Sequence, residues 1–126
     1  MDFSSQRFVD VVVAVPVGQI DHPNAESLKQ ALAPMLDGTV PSIGALVLDF
    51  SRVSYISSMG LRVLLVAAKQ MRACNARIAI AALQPVVSEI FAIARFNHVL
   101  EVFPDVRTAL EHISGPALAA YDAAAA

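Results

Sequence analysis

Short apolar, β-branched segments alternate with segments of helical periodicity, and no other feature of the chain limits its fold so tightly. Phe8 to Val17, "FVDVVVAVPV", predicts a strand bounded by Gly18. Pro16 near its end implies an edge position or a bulge, because proline cannot donate to a ladder. From Asn24 to Leu36, residues Ala25, Leu28, Ala31, Leu32, Met35 and Leu36 recur at helical spacing, with Asp21, His22 and Pro23 as start signals. "DGTVPSIG" is turn material. Ala45 to Phe50, "ALVLDF", predicts a second strand, apolar enough to be central. Ser51 to Ser58 reads as a loop with strand-like pieces.

A helix from about Ser58 to Ala73 gathers Leu61, Leu64, Leu65, Ala68 and Met71 on one face and leaves Arg62, Lys69 and Arg72 elsewhere. Arg77 to Ala82, "RIAIAA", predicts a third strand. Pro85 opens a helix to about Arg95 that offers Val86, Ile90, Phe91 and Ile93 to the core. Val99 to Phe103 predicts the last strand, and Pro104 and Asp105 start a closing helix to about Ile113 with Val106, Ala109 and Leu110 inward. The order predicts an α/β fold with a mixed, mostly parallel central sheet of about four to five strands and about four helices, joined by right-handed crossovers. A single domain over residues 1–113 is expected, followed by an alanine-rich tail over 114–126 expected to be frayed or disordered.

Composition narrows the function classes. Hydrophobic residues make up 56% of the 126 and charged residues 16%, yet no apolar run approaches the ~20 residues that cross a bilayer. No signal segment is evident, and a cytoplasmic protein without membrane insertion is expected. Apolar excess without a span fits strands covered on both faces. A net charge of −2 argues against a nucleic-acid partner. Cys74 is alone, and His22, His98 and His112 lie too far apart for a metal-site spacing. No cofactor is expected.

In a parallel sheet, the loops at the carboxyl ends of the strands gather along one edge, where ligands and partners dock. Here that rule brings Asp21, Ser57, Ser58 and Gln84 into one neighbourhood. There is no G-x-x-x-x-G-K-[ST] loop and no G-x-G-x-x-G. A serine at a strand–turn–helix is a hydrolase feature, but "ISSMG" is not G-x-S-x-G. A small esterase with Ser58 as nucleophile and His98 or Asp21 as its partner is the enzymatic alternative. Ser57 reads as a helix cap. Ser58 reads as a phosphorylation acceptor, where about −1.5 to −2 of added charge leaves the helix start intact and alters any surface docked over it.

Two stretches carry a family resemblance. "VGQIDHPNAESLKQAL" resembles the Gly-x-Leu-Asp turn and Asn/Thr-Ala pair of anti-sigma factor antagonists in the STAS domain family, placing Asp21, Asn24 and Ala25. "LVLDFSRVSYISSMGLRVLLVAAK" resembles the same family's strand, Asp-Leu/Phe-Ser, aromatic and Asp-Ser-Ser/Thr-Gly-Leu leading into a helix. The similarity spans roughly residues 8–113 and implies a STAS-type fold and a binding protein rather than an enzyme. It implies that the unphosphorylated chain binds an anti-sigma factor, a serine kinase of the histidine-kinase-like ATPase type, and so frees a sigma factor. Phosphorylation by that kinase ends the interaction, and a metal-dependent serine phosphatase restores it.

Gly60 and Leu61 match the motif's Gly-Leu, so the implied acceptor is Ser58, with Ser57 as second choice. The implied partner surface comprises Asp21, Asn24, Ser57, Ser58, Met59, Arg62 and Gln84, where Met59 supplies an adaptable apolar contact. Ser57 stands where the motif has Asp, and Met59 where it has Ser or Thr. The first departure leaves room for an alternative: an accessory STAS subunit of an ABC transporter or signalling scaffold that is never phosphorylated.

Overall fold

In a computed structural model, residues 1–37 and 43–125 are described. They form six strands and five α-helices: β1 (Asp2–Phe8), β2 (Val11–Ile20), α1 (His22–Leu36), β3 (Ala45–Asp49), β4 (Val53–Ile56), α2 (Ser58–Ala73), β5 (Arg77–Ala81), α3 (Pro85–Ile93), β6 (Glu101–Phe103), α4 (Val106–Ile113) and α5 (Gly115–Ala125). A 3₁₀ turn, Phe96–His98, follows α3. The turn expected over 37–44 falls largely outside the described residues.

The sheet runs β1-β2-β3-β5-β6, with β4 pairing the far end of β2. Only β1 is antiparallel to its neighbour. Side chains alternate across each central strand, so "ALVLDF" feeds both faces: Leu46 and Leu48 enter one core and Ala45 and Val47 the other. The larger core holds Leu28 and Leu32 from α1, Leu64 and Met71 from α2, and Phe91 from α3. There Phe91 meets Phe50 edge-on at 6.2 Å and Phe96 at 5.6 Å. The smaller core lies under α4 and α5. Burying each such large side chain contributes about 1.5–3 kcal/mol.

Three expectations change. β1, "DFSSQRF", has too few apolar residues to read as a strand; it forms because β2 offers it a seven-residue antiparallel register through a two-residue turn at Val9 and Asp10. That turn holds Val9 at φ 59, a region β-branched residues rarely occupy. Within Ser51–Ser58, by contrast, the expected strand-like piece is present as β4, parallel to β2. On α3 the core residues are Val87 and Phe91, whereas Val86 is 55% and Ile93 81% exposed, because only one narrow side of this short helix faces the sheet.

The alanine-rich tail, expected to fray, is α5. Ser114 caps it by accepting from the Ala117 N–H at 3.2 Å, Ala117 is buried, and Tyr121 packs edge-on against Phe8 at 5.4 Å. Arg107 on α4 donates to Asp122 at 3.2 Å, tying the last two helices together.

Pro16 lies inside the sheet, not at an edge, where β2 leaves β3 after Ala14 and meets β4 from Gly18. Between those two ladders one flank of β2 has no partner to miss a proline N–H. The register irregularity of β2 comes later, between Gly18 and Gln19, where Gly18 adopts φ 107.

Asp105 begins α4 by accepting from the Thr108 N–H at 2.7 Å. That backbone hydrogen bond, then the Thr108 side chain, hold its carboxyl below the ordinary 3.8. A carboxylate with a depressed folded pKa contributes stability above its unfolded value and loses it as pH falls through the folded one. Acid titration followed by circular dichroism is therefore expected to show a destabilising limb below about pH 4. Asp105→Asn, which keeps a cap acceptor without the charge, is expected to flatten that limb.

Candidate functional site

The ends of β2 and β4 lie side by side, Gln19 opposite Tyr55 and Ile20 opposite Ile56. Each strand passes straight into a helix. The Ser57 N–H donates to the Ile20 carbonyl at 2.8 Å, so the two strand-to-helix turns are bonded to each other. Two helix N-termini, each with unpaired amides and a positive dipole end, thus share one corner.

Both caps are local. Asp21 accepts from the Asn24 N–H at 3.1 Å, and the Asn24 side-chain amide donates to the Gln19 carbonyl at 2.8 Å. Ser57 Oγ accepts from the Gly60 N–H at 3.2 Å. The motif's aspartate is thereby replaced by a residue whose hydroxyl serves the helix start. Losing this cap in Ser57→Ala is expected to lower stability by about 1 kcal/mol in urea denaturation.

Ser58 is the first residue of α2 and is exposed. No hydrogen bond from its hydroxyl occurs among the described residues. Met59 beside it is 40% exposed and Arg62, one turn on, is exposed.

Gly60 explains the tight corner. A Cβ there would stand 2.7 Å from both Ile20 Cγ2 and Ile56 Cγ1, and 3.3 Å from the Ile20 carbonyl. Only glycine lets α2 approach the paired strand ends this closely.

The third loop joins through Gln84, whose side-chain amide donates to the Ser51 carbonyl at 2.8 Å. Ser51 is held in turn by Asp49, which accepts from its N–H at 2.9 Å. The acidic residue of "LVLDFS" is thus a turn former. The fold brings Asp21, Asn24, Ser57, Ser58, Met59, Arg62 and Gln84 to one end of the sheet. His98 is not among them: it lies beyond the carboxyl end of α3, away from the end of the sheet where that helix starts, so of the two partners named for an esterase only Asp21 shares the corner with Ser58.

A groove of about 360 Å³ extends from this corner between α1 and α2. His22, Lys29 and Val66 line it beside Met59 and Arg62. Sequence reasoning did not place these three at the site; Met59 and Val66, apolar and seven apart on one helix, were the available signal. Among the described residues no cluster of side chains suits a metal ion, and no helix is long and apolar enough to cross a membrane.

The STAS domain family model matches residues 3–109. BtrV of Bordetella bronchiseptica, named as a candidate anti-sigma factor antagonist, is 36% identical over 104 residues, 82% of this chain and 84% of BtrV. Among solved structures, a candidate anti-sigma factor antagonist from Thermotoga maritima has a TM-score of 0.81 at 19% identity, covering 88% of this chain and 93% of the other. The anti-sigma factor antagonist SpoIIAA in its unphosphorylated form has a TM-score of 0.76 at 17% identity, covering 90% and 97%. Bacillus SpoIIAA in its phosphorylated form has a TM-score of 0.67 at 16% identity, covering 89% and 99%. BtrV and the three solved structures above are described as anti-sigma factor antagonists, and the chain belongs to the STAS domain family.

Proposed function

We propose that this chain is a cytoplasmic anti-sigma factor antagonist, a binding module switched by phosphorylation of Ser58. Unphosphorylated, it binds a kinase-type anti-sigma factor through the corner formed by Asp21, Asn24, Ser57, Ser58, Met59, Arg62 and Gln84, and a sigma factor is released. The kinase then transfers the γ-phosphoryl of ATP to Ser58 Oγ. The new bond is O–P, the bond to the β-phosphate oxygen breaks, ADP leaves and the serine proton passes to the kinase. A metal-dependent phosphatase hydrolyses the ester and resets the chain. Catalytic parts such as the metal-bound phosphate cradle and the base belong to the kinase.

The observation that carries this reading is the division of labour between the two serines. Ser57 is occupied as the helix cap, while Ser58 presents an exposed hydroxyl one residue later. A phosphate at that position meets the positive end of α2, so it changes the docking surface while the fold persists. The relationship to proteins named as anti-sigma factor antagonists supports the choice of partner.

The test is a binding measurement with the purified cognate anti-sigma kinase and ATP. Wild type is expected to dissociate over time, and Ser58→Ala to remain bound. Identical time courses would point instead to an accessory STAS subunit of a transporter or scaffold.

A further inference from the structure

We infer that the groove between α1 and α2 seats an acidic amphipathic helix of the same protein that covers Ser58; this rests on the switch reading above. The two helices leave adjacent parallel strands, so their N-termini coincide at the Ser58 corner and both run away from it. Between them the groove runs from His22 and Met59 at the corner to Leu36 and Gln70 at the far end. Ala25, Ala33 and Ala67 line it, and these small side chains leave room between the helices.

Continuity is the first argument. Met59 is at once the neighbour of Ser58 and a wall of the groove, so a body covering the serine reaches the groove without crossing solvent. Val66, 44% exposed two turns further along α2, continues the same apolar wall. A helix inserted there would use anchors at i, i+4 and i+7.

Charge is the second. Lys29 from α1 and Arg62 from α2 face the groove from opposite walls, and neither has an ion pair or hydrogen bond among the described residues. The acids lining it, Glu26 and Asp37, both come from α1, and Asp37 caps its far end. The helix N-termini add positive potential at the corner, partly offset by Asp21. The two cations and two carboxylates of the lining balance in number, but both carboxylates stand on the α1 side, so the α2 wall with Arg62 is left positive and calls for acidic residues beside the partner's apolar anchors.

The experiment measures affinity of the purified cognate anti-sigma kinase, without ATP, for folded variants. Lys29→Glu and Val66→Arg are each expected to weaken binding at least tenfold, and Ile93→Arg, on exposed α3 outside the groove, to bind like wild type. Both groove positions are at the surface, and a melting curve for each variant confirms the fold. Unchanged affinity in Lys29→Glu and Val66→Arg overturns the inference, as does an equal loss in Ile93→Arg. Ser58→Asp separates the two readings. If it weakens binding while the groove variants do not, the groove assignment alone fails. If the groove variants weaken binding while Ser58→Asp does not, the switch fails and the groove assignment stands.

Discussion

Gly60→Ala is expected to destabilise the domain, although a glycine-to-alanine change inside a helix ordinarily favours folding by up to about 1 kcal/mol. The added methyl would sit 2.7 Å from the γ-carbons of Ile20 and Ile56. Both isoleucines are buried to 1% exposure or less, and β-branched side chains have little freedom at χ1 to give way. Relief must come from moving α2 away from β2 and β4, and that strains the 2.8 Å bond from the Ser57 N–H to the Ile20 carbonyl. Overpacking of this kind costs about 1–3 kcal/mol, and Gly60→Val is expected to fall at or beyond the upper end. Urea denaturation of both variants checks the sign. The same displacement moves Ser58, so residual folded Gly60→Val is also expected to bind the anti-sigma kinase poorly.

Ser58→Asp is expected to show the opposite combination. A carboxylate at the first position of a helix interacts favourably with the dipole, by about 0.3–1 kcal/mol, so the melting temperature should hold or rise slightly. Under the proposed switch, binding should nevertheless weaken by at least tenfold, because a fixed negative charge would occupy the proposed docking surface. Like-charge or unpaired-charge contacts at an interface cost several kcal/mol. Loss of affinity without loss of stability separates a switch from simple damage. A variant that binds as wild type does would remove charge as the basis of the switch.

How far the sequence revealed this arrangement depended on whether the signal was local. The helix from Ser58 to Ala73 was legible to the residue because Ser57 caps it and its apolar residues keep a 3.6 period. "ALVLDF" announced a strand buried on both faces, and the alternation of elements implied the shared edge that unites Asp21, Ser57, Ser58 and Gln84. β1 was not legible: its polar residues acquire strand structure only by pairing with β2. The final helix was obscured by its alanines, although Ser114 and Pro116 are start signals in plain view. On α3, Val86 and Ile93 looked like core residues because hydrophobicity alone does not tell which side of a nine-residue helix meets the sheet. Gly60 was legible as part of a motif, but its necessity appears only when the two isoleucines are placed across from it.

The central claim is that one hydroxyl, that of Ser58, receives the phosphoryl group. Intact-mass measurement with site mapping, after incubation with the cognate anti-sigma kinase and ATP, tests it most directly. The account predicts one added phosphoryl group on Ser58 in the wild type and none in Ser58→Ala. An unmodified wild type, or a phosphate mapped to the cap residue Ser57, would contradict it.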